Sequence, residues 1–196
     1  MSGERQPAVQ LSPAASAALS RIDVRFDVLS ASSLAAAQHD LVALLRSCVH
    51  GGASLGFLAP LPEADAIRYW TAVGPQIDSG DRLVLVAREA PGGTVVGSAQ
   101  LAFESRPNGR HRAEVAKVMV LPSHRRRGIA AGLMTEIERH ARARALRLLI
   151  LDTSEGPGGA RAFYEALGYM YAGGIPDYAL DPDGRPEKNA IYFKAL

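Results

Sequence analysis

Arg125, Arg126 and Arg127 stand directly before Gly128, just past an apolar run that ends at Leu121–Pro122. The stretch Glu114–Met134, EVAKVMVLPSHRRRGIAAGLM, reads as strand, basic turn, glycine, then amphipathic helix. That order builds a site for a phosphorylated ligand. The first N–H groups of a helix are unpaired and point outward, and the helix dipole adds partial positive charge there. The guanidinium groups add full charges and fork-shaped donors that match phosphate oxygens. Gly128 allows the backbone to approach such a ligand closely.

The spacing narrows the ligand. Arg125-Arg126-Arg127-Gly128-Ile129-Ala130 fits the pattern Arg/Gln-x-x-Gly-x-Gly/Ala. In this the chain resembles the GNAT superfamily of N-acetyltransferases, whose loop of this form holds the pyrophosphate of coenzyme A. The resemblance covers roughly residues 20–196 and implies acetyl-CoA as co-substrate, with no metal. Small Ala130 would leave room for the diphosphate. The strand before the loop would pair its backbone at Val118, Met119 and Val120 with the pantetheine arm, and Thr153 would lie on the coenzyme side. The family's frequent glycine at position 126 is Arg126 here, and Ala130 replaces a second glycine.

A second signature is Ala160–Tyr169, ARAFYEALGY, which resembles the family's next helix. Tyr164 falls where the family commonly has a tyrosine near the thioester sulfur. The leaving group is a thiolate. With a thiol near pKa 8.5 and a phenol near 10, a tyrosine can protonate or hydrogen-bond the departing sulfur. The alternative for Tyr164 is plain packing beside Phe163 and Leu167.

An amine acceptor must lose a proton before it attacks. Glu114, near the start of the pantetheine strand, and Asp152, at the end of LLILDT, are the candidate bases. An ionised carboxylate ending an apolar strand is costly unless paired or functional. An ion pair for Glu114, a turn role for Asp152 and a water chain as proton carrier are the alternatives. Cys48, on an apolar helix face, is a poor acyl carrier, so the amine would attack directly. By resemblance Val49–Leu58, VHGGASLGFL, borders the acceptor pocket, with Gly52, Ser54 and Phe57 as acceptor-binding residues.

These residues need elements to hold them. Ile22–Leu29 alternates like a half-exposed strand. Leu34–Val49 has helical spacing, with Ser32 and Ser33 as caps, and Pro62–Val73 reads as a second helix. Arg82–Arg88 and Thr94–Phe103 are strands joined by the turn Pro91-Gly92-Gly93, and Ala113–Leu121 is a third. Ile129–Ala145 is an amphipathic helix. Leu146–Thr153 is almost wholly apolar, as in a strand covered on both faces. Gly158–Leu167 is a helix closed by Gly168. Tyr169–Gly173 and Ala190–Lys194 are final strands around a polar loop, Pro176–Asn189. This order implies an α/β (α+β mixed sheet) fold, a central mixed sheet flanked by helices. It is also the order of the superfamily. Residues 1–20, rich in Ala, Ser, Pro and Gln, read as an extension, and 21–196 as one domain.

Composition removes other classes. Net charge is +2 over 196 residues, so a nucleic-acid partner is not expected, despite the local charge of Arg125–Arg127 and Arg139–Arg147. No run has membrane-spanning length and no signal peptide is recognisable, which points to the cytoplasm. One cysteine forbids an intrachain disulfide, and the five histidines lack metal-ligand spacing. Gly52-Ala53-Ser54-Leu55-Gly56 fits a hydrolase elbow, but it follows a helix rather than a strand. No P-loop is present.

Longer strings, HGGASLGF, PNGRHRAEVAKVMVLPSHRRRG, LDT and PDYALDPDG…AIYFK, resemble the tabtoxin-resistance acetyltransferases. That resemblance implies a small primary amine as acceptor, of the β-lactam toxin or antibiotic-like amino-acid kind, and a resistance role. It is compatible with a homodimer. A coenzyme-binding module without turnover and a protein or peptide amine as acceptor are the competing readings.

Overall fold

The structure, a computed structural model, describes residues 23–90, 93–156 and 160–196. The expected N-terminal extension, the first residue of the expected strand at Ile22, Pro91-Gly92 of the turn and Gly158-Gly159 of the last helix lie outside the described residues.

The elements run β1 (Val24–Leu29), α1 (Ala31–Ala36), α2 (Gln38–His50), α3 (Glu63–Asp78), β2 (Arg82–Glu89), β3 (Val95–Phe103) and β4 (Arg112–Val120). A short 3-10 turn, Pro122–His124, leads to α4 (Ile129–Ala143), β5 (Leu148–Ser154), α5 (Arg161–Ala166), β6 (Met170–Gly173), β7 (Ala179–Leu180), β8 (Pro186–Glu187) and β9 (Asn189–Ala195). Among the described residues the main sheet has seven strands in the order β1-β2-β3-β4-β5-β9-β6. Its pairs are antiparallel except β4 with β5. This is the expected mixed sheet flanked by helices.

Both faces are covered, which is why the central strands are apolar in succession. Leu83, Leu85 and Ala87 of β2 face a core built with Ile129, Leu133 and Ile137 of α4. Val84 and Val86 face the opposite core with Leu41, Leu45 and Trp70 of α1–α3.

Two helix boundaries differ from expectation. The single helix expected over Leu34–Val49 is two, broken at Ala37. Leu34, Leu41 and Leu45 enter the same core, so apolar spacing continues across the break and conceals it. The cap is Ser30, not Ser32 or Ser33. The Ser33 N–H donates to Ser30 Oγ at 3.1 Å, and the Ser30 N–H donates to Ser33 Oγ at 2.8 Å, a reciprocal capping box. Ser30→Ala should lower stability by about 1 kcal/mol, read as a lower urea midpoint with an unchanged slope. In turn, α3 continues past Val73 to Asp78 with Pro75 inside it. Pro75 gives up the backbone bond to Thr71 O, and next to it the Gln76 side-chain amide donates to Ala72 O at 3.0 Å.

The feature that shapes the site is in β4. Gln100 of β3 pairs with Ala116, whereas Ser98 pairs with Met119. Two steps along β3 thus match three along β4, so β4 holds one extra residue, a β-bulge. Lys117 within it has φ +52°, the left-handed region. The bulge reverses the alternation. Ala113 and Val115 face the α4 core before it, Val120 faces that core after it, and Met119 faces the α1–α3 core.

Candidate active site

β4 and β5 pair only over Arg112–Glu114 with Leu148–Ile150. Beyond that, β4 stays with β3 and β5 stays with β9, so their facing edges part. A cavity of about 700 Å³ fills the wedge, a size typical of small-molecule sites. Val118, Met119 and Val120 line it from β4 and Thr153 from β5. Met119 is buried, so it offers the wedge its backbone rather than its side chain. Backbone groups on a parted edge are donors and acceptors without a strand partner.

The wedge leads toward the basic loop. Gly128 caps α4 with φ +80°, and no side chain caps that helix. A Cβ at Gly128 would meet nothing within 4 Å, so it is backbone conformation rather than space that favours glycine. Arg126 takes φ +60°. Arg125, Arg126 and Arg127 border a second hollow with Pro122 and Ser123, about 650 Å³ in volume. Arg125 also lines the main cavity, and its Nε donates to Val120 O at 3.4 Å. Ala130 lines the main cavity too, while Ile129 is buried in the α4 core and leaves only its backbone at the helix start. An uncapped helix start, a left-handed glycine and exposed arginines fit a pyrophosphate, and the parted strand edge fits an amide-bearing arm.

Glu114 and Asp152 both line the wedge and both are exposed. Glu114 pairs with Ile150, and Asp152 lies two residues further along β5, so both carboxylates share one face of the sheet. The burial cost expected for Asp152 does not arise, because β4 has left its side at that point. Neither carboxylate is in an ion pair among the described residues.

Tyr164 of α5 lines the same cavity from a buried position. Burial, with a further push from the Asp152 charge, raises its phenol to about 12. It therefore stays protonated well above neutral pH. It also packs against Phe163 and Tyr169, with ring centroids 5.2 and 5.9 Å away, so packing and a cavity position hold together at this residue. Cys48 is buried with Sγ donating to Val120 O at 3.5 Å. Burial pushes its thiol up, against the opposing pull of Arg125. A thiol held protonated is a weak nucleophile.

The segment between α2 and α3 closes the other side. Gly52 and Ser54 line the cavity; Phe57 lies beside it, edge-on to Tyr69 at 5.6 Å. The Leu61 N–H donates to His50 Nε2 at 3.0 Å and the Ala59 N–H to Pro182 O at 2.8 Å. Pro182 lies within the stretch expected to be a polar loop, and there the structure differs. β7 and β8 form a small hairpin, Ala179 with Glu187 and Leu180 with Pro186. Strands of two residues among Pro and Asp give no alternation to read.

One residue at the cavity was not expected. Lys117 lines it, and its Nζ lies 5.6 Å from the Tyr69 ring centre and 5.9 Å from that of Phe57. Burial, with the Arg82 charge adding to it, pulls its ammonium below its usual value, while Glu114 and Asp152 pull the other way. The signal is present in VAKVMV. A lysine interrupts an apolar strand where the alternation slips by one.

Comparison with known proteins agrees with this architecture. Residues 53–169 match the family described as acetyltransferase (GNAT). A curated relative from Azospirillum brasilense, an uncharacterized N-acetyltransferase in the hisH-hisA intergenic region, is 33% identical over 133 residues, spanning 67% of this chain and 74% of that protein. The ribosomal-protein-alanine N-acetyltransferase of Brucella melitensis superposes with a TM-score of 0.69 at 23% identity, covering 88% of this chain and 99% of that one. yncA from Salmonella typhimurium, solved with its cofactor acetyl-CoA, gives 0.69 at 17% identity over 89% and 94%. With a family match across both the wedge strand and the arginine loop, the chain belongs to the acetyltransferase (GNAT) family.

Proposed function

We propose that residues 21–196 form a cytoplasmic, acetyl-CoA-dependent N-acetyltransferase that modifies a primary amine of a small molecule. One observation carries this reading: two exposed carboxylates and a protonated tyrosine meet in the wedge that runs to the uncapped start of α4. When bound, acetyl-CoA supplies the activated acetyl group. Arg126, Arg127 and the first N–H groups of α4 hold its phosphates, and the edge of Val118–Val120 holds the arm. Glu114 and Asp152 take the amine proton, directly or through water. Tyr164 offers its O–H to the sulfur as negative charge develops there. A phenol near 12 is a weaker acid than a thiol near 8.5, so Tyr164 acts by hydrogen bonding rather than by full proton transfer. Positioning supplies a large share of the rate.

The Ala59–Pro182 bond ties the hairpin to the acceptor segment across the open side, which favours a small acceptor over a protein surface. Among small amines, the strings HGGASLGF and PDYALDPDG support a β-lactam toxin of the tabtoxin kind, and with it a resistance role. The test is thiol release from acetyl-CoA with a panel holding a β-lactam amino acid, polyamines, aminoglycosides and peptide N-termini. Release that depends on a small amine supports the reading. Release only with peptides moves the acceptor to proteins, and tight coenzyme binding without release from any amine overturns turnover.

Tyr164→Phe should lower kcat about tenfold. The loss should be equal from pH 6 to pH 10, because a donor that titrates near 12 keeps its proton across that range and loses it only above. An alkaline limb near pH 10 that disappears in Tyr164→Phe would place its ionisation at the ordinary phenol value, whereas no loss of kcat in Tyr164→Phe would remove it from this role.

A further inference from the structure

Lys117 occupies an unusual position. It lies in the bulge, where Lys117 and Val118 together oppose one residue of β3, and it takes the left-handed backbone there. Its ammonium reaches toward the acceptor segment: a Cβ on Gly56 would sit 3.7 Å from Nζ, and the rings of Phe57 and Tyr69 flank it. Tyr69 is fixed in turn, its hydroxyl donating to Gln100 Oε1 at 3.1 Å. Arg82 holds the same Gln100 oxygen at 2.6 Å. Among the described residues neither Lys117 nor Arg82 is in a salt bridge. Lys117 is thus held by aromatic faces at the wall of the cavity, and Arg82 lies behind it on neutral amides. Glu114 and Asp152 act on Lys117 only from a distance, and a part-buried ammonium with no carboxylate in contact is costly, a cost that an incoming anion offsets.

Arg125 brings positive charge to the coenzyme end of the same cavity, whereas the wall beyond it carries carboxylates. Glu114 and Asp152 line the cavity with Asp181, Asp183 and Glu187. Away from the arginine loop the site therefore offers positive charge at Lys117 and negative charge around the place where an amine must be deprotonated. That is the complement of a zwitterion. A polyamine would meet Lys117 with like charge, and a peptide N-terminus brings no carboxylate beside its amine.

We propose that Lys117, caged by Phe57 and Tyr69, binds the carboxylate of the acceptor, and that the acceptor is a small amino acid presented as its zwitterion. This rests on the acetyl-transfer reading above and names the acceptor class of the same site. Phe57 serves as a positioning residue for Lys117 rather than as a direct contact.

The test compares each standard amino acid with its carboxamide and its decarboxylated amine in the thiol-release assay, beside polyamines and peptides. The native chain should prefer acids over their amides by about thirtyfold in kcat/KM, the scale of a hydrogen bond to a charged group. Lys117→Met should cut kcat/KM for an acid about thirtyfold more than for its amide, mainly through KM, and Lys117→Arg should restore most of the preference. Urea midpoints of both variants separate folding from recognition. Equal rates for acids and amides in the native chain overturn the assignment, as does a preference for polyamines or an equal loss on acid and amide in Lys117→Met. Absence of release from every amine overturns the acetyl-transfer reading itself, a different result from turnover without carboxylate selectivity.

Discussion

With Glu114→Gln and Asp152→Asn combined, kcat should fall about 10³-fold at neutral pH, within the range expected for loss of a general base. Both amides keep the shape of the side chains they replace but cannot accept the amine proton as an anion. The two carboxylates share one face where β4 and β5 part, and both are open to the cavity. A water between them can pass the proton to either. Each single variant should then lose only about tenfold, and the double variant far more than the product of the two, because residues acting as a unit are not additive. Thiol release at saturating acceptor gives kcat. A double variant within threefold of the native rate would remove both residues from proton transfer and leave solvent as the carrier.

Gly128→Glu should raise the dissociation constant of acetyl-CoA by at least about 100-fold, for two reasons. Left-handed backbone at φ +80° disfavours any side chain, by roughly 1 kcal/mol. Electrostatics weighs more, since a carboxylate at the uncapped start of α4 places negative charge where the pyrophosphate would sit. A Cβ at this position meets nothing within 4 Å, so the chain still folds and the loss is one of binding. Titration calorimetry reads the constant. Gly128→Ala changes the backbone preference without adding charge, with an expected loss of about fivefold. Equal losses in the two variants would mean that the charge is immaterial and that the phosphates lie elsewhere.

The parts of the site legible in the sequence are those carried by contiguous runs. Arg125–Ala130 announces itself because the loop and the helix it starts are continuous in the chain. Glu114, Asp152 and Tyr164 stand out for the same reason, each tied to the end or face of an apolar run. What stays hidden depends on phase or on distance. A one-residue slip in β4 changes no composition, so the lysine that interrupts VAKVMV marks an anomaly without showing that it faces the cavity. The break at Ala37 is invisible because both helices feed one core. The Ala59–Pro182 bond joins segments far apart in the chain, and nothing local at either end requires it. Ser30 is masked by the serines that follow it at 32 and 33, and only geometry decides which one caps.

The bulge has one more consequence, and it concerns how such an enzyme diversifies. In most strand positions a side chain that touches the ligand also alternates into a core, so a change of chemistry there disturbs packing. Position 117 is released from that constraint, since Met119 and Val120 fill the two cores without it. Its tolerance is limited mainly by the left-handed backbone at φ +52°. Charge and polarity can therefore vary at this one residue without removing a side chain from the centre of either core, although its length is matched to the Phe57 and Tyr69 rings. On the proposed reading, recognition of the acceptor is in this sense partly uncoupled from the persistence of the fold, because the residue that meets the acceptor is not one that fills either core.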